Sequence, residues 1–329
     1  MRTCTIGAYP KIPAKTGPSV RTAIQRFERG SIGPKQLFET YQAVVADTVN
    51  LAYDANLDAT TDGQIRWYDL FDPLCRDIDN LQPGGLLRWF DNNFYYRHPL
   101  VTGRLQFQGG TLAQWTREAV ERSLVPITVA LPGPFTILAL AEDRSYHQPS
   151  ALLSDIVEVL ALEVGSLRGT GLFEVQWDEP ALAAQVSQAQ ADDVRSAYQD
   201  LLGAHSDMRQ SVALYWGSSI PWVPVFADLP VARLSVDAVT NPEVLTVLQR
   251  ELVACEIGLG LVDARDIRLE DAAHLAQIVT DYADRYGDTR VWLHPSSGLE
   301  LLPPDRAADK VRLLKAVKAL AEGETAHHG

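Results

Sequence analysis

The sequence is poor in cysteine and has no long apolar run. Its three cysteines are Cys4, Cys75 and Cys255, and none lies in a CxxC pair. Scattered cysteines of odd number exclude a disulfide framework and are typical of a reducing compartment. No apolar run reaches the roughly 18 residues of a membrane span, and the start "MRTCTIGAYPKIP" lacks the apolar core of a secretory signal. These absences predict a cytoplasmic protein without membrane association.

Basic charge is also scarce. The chain has 29 Lys and Arg against 42 Asp and Glu, a formal net charge of −13. A nucleic-acid-binding surface needs the opposite balance, so that class of partner is excluded. The glycine fingerprints GxGxxG and GxxxxGK[ST] are missing as well, which argues against a doubly wound nucleotide-binding sheet, the alternative fold.

What the chain does contain is an alternation of short apolar runs with longer amphipathic ones. Strands are predicted at 3–9, 57–62, 126–133, 172–177, 211–216, 231–237, 257–263 and 290–295. Helices are predicted at 34–55, 149–167, 192–205, 241–253, 269–287 and 304–323. This order predicts an α/β protein, a (β/α)8 TIM barrel forming a single domain over residues 1–323. The stretch 63–125 is too long for a simple connection and predicts a long helical insertion after strand 2, and 324–329 is expected to be a frayed tail.

Polar or aromatic residues close most of the predicted strands. They are Asp62, Asp178, Glu179, Tyr215, Trp216, Asp237, Asp263 and His294. Catalytic groups of barrel enzymes gather at the carboxyl ends of the strands, so this set predicts a functional site. The alternative is that each strand end is polar only because a loop begins there.

The pair in "WDEPAL" is informative because its members are adjacent. Side chains alternate along a strand, so Asp178 and Glu179 are expected to point to opposite sides, and the motif supplies one site carboxylate rather than a dyad. A zinc site is not supported, since His294 is the only strand-end histidine and no HxC or HxxxH occurs at a strand end. A mixed metal site of His294, Asp237 and Asp263 stays open as an alternative.

The segment "RWFDNNFYYRHP" (88–99) is dense in aromatic residues. It is either a packed lid or a binding wall, in which Arg88, Arg97 and His98 could hold a carboxylate-bearing ligand. The residues alone leave both interpretations open.

Short motifs in register along the chain resemble one family. They are "TIGAYPKI", "LLRWFDNNFYYRHP", "PGPFTILAL", "VQWDEPAL", "ALYWGS", "LPVARLSVDAV", "GLGLVDARDI" and "VWLHPSSGLELLP". This set resembles the barrels of cobalamin-independent methionine synthase, in which two related barrels are fused in one chain. "RWFDNNFYY", "AIQRFERGSI" and "LGLVDARDI" resemble the N-terminal, non-catalytic barrel.

The resemblance implies a zinc ion in the other, catalytic barrel and none in this chain. The four positions that would match the zinc ligands read Val212, Leu214, Asp237 and Ser297. The resemblance therefore implies a free-standing folate-side half of a methyltransferase of methionine biosynthesis, which acts with a separate zinc-bearing barrel.

The resemblance also assigns roles to residues. It places Arg21 and Arg88 against the polyglutamate tail of methyltetrahydrofolate, and Asp178 at a position that contacts the substrate amino acid. Together with the strand-end pattern, this gives Asp178, Asp62 and His294 as candidate catalytic residues. The candidate substrate-binding residues are Arg21, Arg88, Glu179, Tyr215, Trp216, Asp237 and Asp263. The alternatives are an independent zinc-free enzyme with an acidic pocket for an amino-acid-like ligand, or a paralogue without a ligand.

Overall fold

The computed structural model describes residues 1–11, 19–92, 94–184, 190–251 and 253–323. The strands are β1 (Arg2–Thr3), β2 (Ile78–Arg88), β3 (Tyr95–Phe107), β4 (Thr128–Pro132), β5 (Glu142–Asp143), β6 (Glu174–Asp178), β7 (Gln210–Leu214), β8 (Arg233–Asp237), β9 (Glu256–Val262) and β10 (Val291–Pro295). The helices are α1 (Val20–Glu28), α2 (Pro34–Asp54), α3 (Asp72–Asp77), α4 (Thr111–Val120), α5 (Pro134–Leu140), α6 (Pro149–Ser166), α7 (Pro180–Ala183), α8 (Ala191–Ala204), α9 (Val223–Ala227), α10 (Glu243–Arg250), α11 (Ala272–Tyr286) and α12 (Pro304–Ala321). Within the described ranges, no helix is both long and apolar enough to cross a membrane. The α/β class predicted from the sequence is confirmed.

The chain divides into two compact units. Unit 1 comprises Met1–Arg66, Ala119–Thr128 and Gly258–Gly329, and unit 2 comprises Trp67–Glu118 and Val129–Ile257. The predicted tail at 324–329 lies outside the described residues.

Unit 1 contains parallel strands in the order β1-β10-β9. Arg2 pairs with Trp292 and Thr3 with Leu293. Single parallel bridges extend this pairing from Cys4 to Ala59 and from Thr60 to Ile127. The predicted strands at 3–9 and 57–62 are thus longer than the ladders in the structure. One reason is local, because Gly7 has a φ of 62°, which turns the chain out of the extended conformation.

Unit 2 contains parallel strands in the order β8-β7-β6-β4. Trp177 pairs with Val212, and Val212 in turn pairs with Leu234. All residues of β6, β7 and β8 are buried, as expected for parallel strands covered on both faces. Asp178 and Asp237 are the last residues of β6 and β8, so both lie at the carboxyl edge of this sheet.

The predicted helical insertion at 63–125 is only partly helical. It holds α3 and α4, but its larger part is the antiparallel hairpin of β2 and β3, to which β5 adds a third strand. The ladder shifts register between Pro83 and Leu86, and Gly84 and Gly85 are the two β2 residues within this irregularity. His98 fixes this shift, because its ring nitrogens lie 2.8 Å from the Gly85 carbonyl oxygen and 3.0 Å from a carboxylate oxygen of Glu142.

Candidate substrate-binding site

Asp178 closes β6 with a fully buried carboxylate. Its Oδ1 accepts a hydrogen bond from Gln176 Nε2 at 2.7 Å, and its Oδ2 accepts one from the Tyr215 hydroxyl at 3.2 Å. Gln176 stands two residues earlier on the same strand and so faces the same side. Sequence analysis missed Gln176, because a glutamine inside an apolar strand carries no signal until its partner is known.

Glu179 makes its hydrogen bonds to a different set of residues from those that bond Asp178. Its carboxylate accepts hydrogen bonds from the backbone N–H groups of Phe135 and Thr136 at 3.0 and 2.7 Å and from the Thr136 hydroxyl at 2.6 Å. The Tyr198 hydroxyl donates a further bond at 2.9 Å. Burial raises the pKa of Glu179 to about 7, although these donors each lower it. Glu179 therefore ties the first turn of α5 to α8, and it shares no hydrogen-bond partner with Asp178 in these contacts.

Tyr215 and Trp216 follow β7 and connect the two strand-end aspartates. Tyr215 bonds Asp178, and the backbone N–H of Trp216 donates to Asp237 Oδ2 at 3.1 Å. Asp237 Oδ1 accepts from the backbone N–H groups of Val239 and Thr240 at 3.0 and 2.8 Å. Burial raises the pKa of Asp237, while these bonds oppose the rise.

Trp216 adopts an unusual backbone conformation. Its φ is 65°, in the left-handed region that a bulky side chain rarely enters. Such strain persists only where surrounding contacts hold it, and it is concentrated at functional sites. The Asp237 bond and the packing of the indole are the contacts that hold it here.

The described residues of the aromatic-rich segment 88–99 form the tip of the hairpin of β2 and β3. The ring centroids of Trp89 and Phe90 lie 5.5 and 5.4 Å from that of Trp216, and the ring centroid of Tyr215 lies 4.9 Å from it. The tip therefore forms an aromatic wall beside the strand ends of unit 2. The exposed Arg88 uses its guanidinium to bond the carbonyl oxygens of Asn92 and Asp91 at 2.7 and 3.0 Å, within the turn itself.

The remaining predicted site residues belong to unit 1. Asp62 Oδ1 accepts the backbone N–H of Gln64 at 2.8 Å, and burial raises the pKa of Asp62. His294 is fully buried, and its Nδ1 donates to the Pro295 carbonyl oxygen at 2.7 Å. Asp263 Oδ1 accepts the backbone N–H of Arg265 at 2.8 Å.

Arg21 lies exposed on α1, also in unit 1. The predicted set is therefore divided. Asp178, Glu179, Tyr215, Trp216, Asp237 and Arg88 lie in unit 2, and Asp62, Asp263, His294 and Arg21 lie in unit 1.

Glu300 is a second residue that sequence analysis missed, and it is an acid. Burial raises its pKa to about 7, and the positive charge of Lys11 lowers the pKa of both Glu300 and Asp62. Its Oε2 has no hydrogen-bond partner among the described residues. Glu300 stands in the loop after β10, five residues beyond the strand end at Pro295, so a search of the strand ends alone passes over it.

Comparison with known proteins identifies the family. The model of the cobalamin-independent synthase N-terminal domain matches residues 71–286, more than half of the 329-residue chain. The chain belongs to this family.

Relatives of the cobalamin-independent synthase family cover nearly the whole chain. The 5-methyltetrahydropteroyltriglutamate–homocysteine methyltransferase of Paraburkholderia xenovorans is 27% identical over 93% of this chain, which spans only 43% of that relative's length. The methionine synthase of Sulfolobus acidocaldarius is 25% identical over 94% of this chain and 88% of its own. A solved B12-independent methionine synthase from Shewanella sp. W3-18-1 has a TM-score of 0.78 at 17% identity, with 98% of each chain covered, which shows the fold.

The side chains of this family member do not fit the zinc site that the resemblance implies for the catalytic barrel. Val212 and Leu214 are buried and apolar, and the Ser297 hydroxyl donates to the Gly298 carbonyl oxygen at 3.3 Å. Zinc is bound by thiolate, imidazole and carboxylate groups, and of the four positions only Asp237 offers one of these. Across the described residues, no group of three or more His, Cys, Asp and Glu side chains could hold a metal ion.

Proposed function

We propose that this chain is the folate-side, zinc-less half of a methionine-synthase-type methyltransferase and acts with a separate zinc-bearing barrel. One observation carries the proposal. The family match is to the N-terminal domain, and the positions that would hold zinc are filled by Val212, Leu214 and Ser297.

Chemistry supports the division of labour. Methylation of homocysteine requires a thiolate at neutral pH, which zinc supplies by coordinating the sulfur. The strand-end acids of this chain would do the reverse, because a nearby carboxylate raises the pKa of a thiol. The share of the Paraburkholderia relative that this chain spans, 43%, is also what one barrel of two would occupy.

We also propose that the α/β fold is a complete (β/α)8 barrel. The parallel orders β1-β10-β9 and β8-β7-β6-β4, and the TM-score of 0.78 to the Shewanella protein, support it. The ligand proposed for this half is methyltetrahydrofolate polyglutamate, with Arg21 and Arg88 as the basic residues for its tail.

Reconstitution tests the proposed function. The chain alone, a zinc-bearing barrel alone and their mixture would be assayed for methionine formation from homocysteine and 5-methyltetrahydrofolate triglutamate. We expect activity only in the mixture, and we expect Arg88→Gln to raise the KM for the triglutamate more than that for the monoglutamate. Arg104→Gln, at an exposed position on β3, is the matched control. Full activity of the metal-free chain alone would refute the proposal.

A second candidate is an independent enzyme, and one observation favours it. The Sulfolobus methionine synthase, of which this chain covers 88%, is of similar length. Here Asp62, Asp178 and His294 would be catalytic, and the acidic side chains would bind an amino-acid-like ligand. Methionine formation by the single chain, abolished by Asp178→Asn in a folded variant, would support this candidate over the first.

A further inference from the structure

One histidine of the hairpin faces a hydrogen-bond acceptor at each of its ring nitrogens. His98 Nδ1 lies 2.8 Å from the carbonyl oxygen of Gly85 on β2, and its Nε2 lies 3.0 Å from Oε2 of Glu142 on β5. A carbonyl oxygen and an ionised carboxylate can only accept hydrogen bonds. A neutral imidazole has one N–H and one lone pair, so it can donate to only one of these two oxygens. The observed geometry is therefore that of the imidazolium, which donates from both nitrogens.

The surroundings of Glu142 favour its ionised form. Arg144 Nε donates to Glu142 Oε1 at 2.7 Å, whereas His98 contacts the other carboxylate oxygen. The hydrogen bond from Arg144, followed by that from His98, lowers the pKa of Glu142. The Glu142 side chain is also 47% exposed, so water stabilises its charge. The proton that decides whether both contacts form is consequently the second proton of the His98 ring.

The other charged groups near the His98 ring have partners of their own. The Arg97 guanidinium lies 5.5 Å from the ring centroid of Tyr68. The Asp143 carboxylate accepts backbone N–H groups of the turn after β5, those of Ser145, Tyr146 and His147. The part of β2 that faces the ring consists of glycines and carries no charge. Among the described hydrogen bonds and ion pairs, the charged partner of the ring is thus Glu142, which Arg144 holds from its other side.

The glycines of β2 make room for the imidazole at the point where the strand changes register. A Cβ atom on Gly84 would lie 2.8 Å from His98 Cε1 and 2.8 Å from the His98 carbonyl oxygen, so a larger residue would force a shift there. Pairing with β3 resumes directly afterwards and continues over residues 86–88. His98 therefore lies at the base of the part of the hairpin that ends in Trp89 and Phe90.

We propose that His98 is a pH-sensitive switch that fixes the hairpin. The protonated ring joins β2 to β5 through Gly85 and Glu142, and the neutral ring gives up one of these contacts. Its loss loosens the register shift and the tip beyond it, where the Trp89 ring packs against that of Trp216 at the candidate site. Histidine ordinarily titrates between about pH 5 and pH 8. The hairpin is thus ordered at the acidic end of this range and loosens as the pH rises.

Hydrogen exchange of the hairpin amides in the full chain tests the switch across this pH range. Each exchange rate is divided by the intrinsic rate at the same pH, so that only protection by structure is compared. We expect the protection of β2 and the tip to fall about three- to tenfold as the pH rises, the effect of one lost hydrogen bond. The NMR signal of the His98 imidazole should change with the same midpoint. These readouts are independent of the proposed methyl transfer.

Glu142→Gln distinguishes the switch from a contact that is only structural. The new amide can donate to the lone pair on Nε2 of a neutral His98, while Nδ1–H still donates to Gly85. This variant should therefore keep, at the alkaline end of the range, the protection that the parent protein loses. His98→Gln removes the titrating ring and should make the protection independent of pH. His147→Gln, in the exposed turn after β5, is the matched control and should retain the pH dependence of the parent.

Three results would overturn the inference. They are constant protection of the hairpin in the parent across the range, an equal fall of protection in His98→Gln, and an equal fall in Glu142→Gln. The last would mean that the carboxylate is not the group that requires the second proton. Thermal unfolding shows whether each variant is folded. If His98→Gln does not fold, the midpoint of the His98 signal and the Glu142→Gln profile still decide.

Discussion

The two ends of the parallel strands in unit 2 handle buried charge in different ways. At the amino end, Glu174 and Arg233 are fully buried and paired at 2.5 Å, and Arg209 bonds Glu174 at 2.7 Å and also pairs with Glu256. Each carboxylate there faces a guanidinium.

At the carboxyl end, the acids are held by neutral donors. Asp178 accepts from an amide and a hydroxyl, and Asp237 accepts from backbone N–H groups. In a cluster of opposite charges the negative and positive groups compensate one another. A carboxylate held only by neutral donors has no such compensating charge. In parallel α/β sheets, ligands bind outside the carboxyl ends of the strands, which is the edge where Asp178 and Asp237 lie in unit 2.

Removing an acid from the amino end should have the largest effect on stability. Glu174→Ala leaves the buried Arg233 without its main carboxylate, and breaking one side of a buried ion pair costs about 3–5 kcal/mol. Urea denaturation measures the loss. Asp207→Ala, which breaks the exposed pair with Arg168, is the control and should change the midpoint far less. Equal losses in the two variants would remove the distinction between buried and exposed pairs.

Glu163 differs from the acids of the amino end that face a guanidinium. It lies in the last turns of α6, the helix that leads into β6. It is fully buried, and its Oε2 has no hydrogen-bond partner among the described residues. Burial raises its pKa to about 8, and the charge of Asp77, which caps α4, adds to the rise. Folding therefore favours the protonated form.

The sign of the pH dependence follows from that preference. Between the unfolded pKa near 4.5 and the folded value near 8, the folded state binds more protons, so the free energy of unfolding falls as pH rises through this window. Glu163→Gln removes this contribution. The gain in free energy of unfolding of the variant over the parent protein should therefore be about 2–4 kcal/mol larger at pH 8 than at pH 5. Denaturation of both proteins across this range measures the difference. Glu158→Gln, on the exposed face of α6, should leave the profile unchanged; a parallel offset at every pH would show that Glu163 is not the titrating group.

Periodicity predicted the long elements well, because burial of one face fixes both their type and their limits. The helices predicted at 34–55, 149–167 and 304–323 are α2, α6 and α12 within a residue or two. The hairpin was not predicted, since most of β2 from Gln82 to Arg88 is exposed and its pairing register shifts around Gly84 and Gly85. A strand without a buried face has no alternation to detect.

The same limit applies to the candidate site. Asp178 and Asp237 were predicted because an acid at the end of an apolar run is visible locally. Gln176 and Glu300 were missed, since Gln176 is an amide inside an apolar run and Glu300 lies in the loop after β10, five residues beyond the strand end. Roles for all of these residues stay predictions until binding is measured.

Substitution of Asp237 tests how much the hydrogen bonds from neutral donors stabilise the carboxyl end. Asp237→Asn replaces one accepting oxygen by an NH2 group, which cannot accept the Trp216 N–H or, if rotated, the N–H groups of Val239 and Thr240. We expect a loss of about 1–3 kcal/mol, smaller than for Glu174→Ala, and a changed Trp216 environment because its φ of 65° loses support. Urea denaturation and tryptophan emission measure both. Asp263→Asn is the control, and an unaltered emission spectrum in Asp237→Asn would contradict the assigned support of Trp216.

The smallest expected effect is the coupling between the two ends themselves. Glu174, Gln176 and Asp178 face the same side of β6, and Gln176 bridges the ends: it donates to Asp178 at 2.7 Å and accepts from Arg233 at 3.4 Å. The second contact is long, and the two acids stand about 13 Å apart along the strand. A double-mutant cycle of Glu174→Gln and Asp178→Asn should therefore give an interaction energy below about 0.5 kcal/mol. A cycle in the Gln176→Leu background, which removes the bridge, is the control. An interaction energy above about 1 kcal/mol that disappears in that background would show that both ends belong to one polar network. Changes that destabilise the amino end would then also alter the site at the carboxyl end.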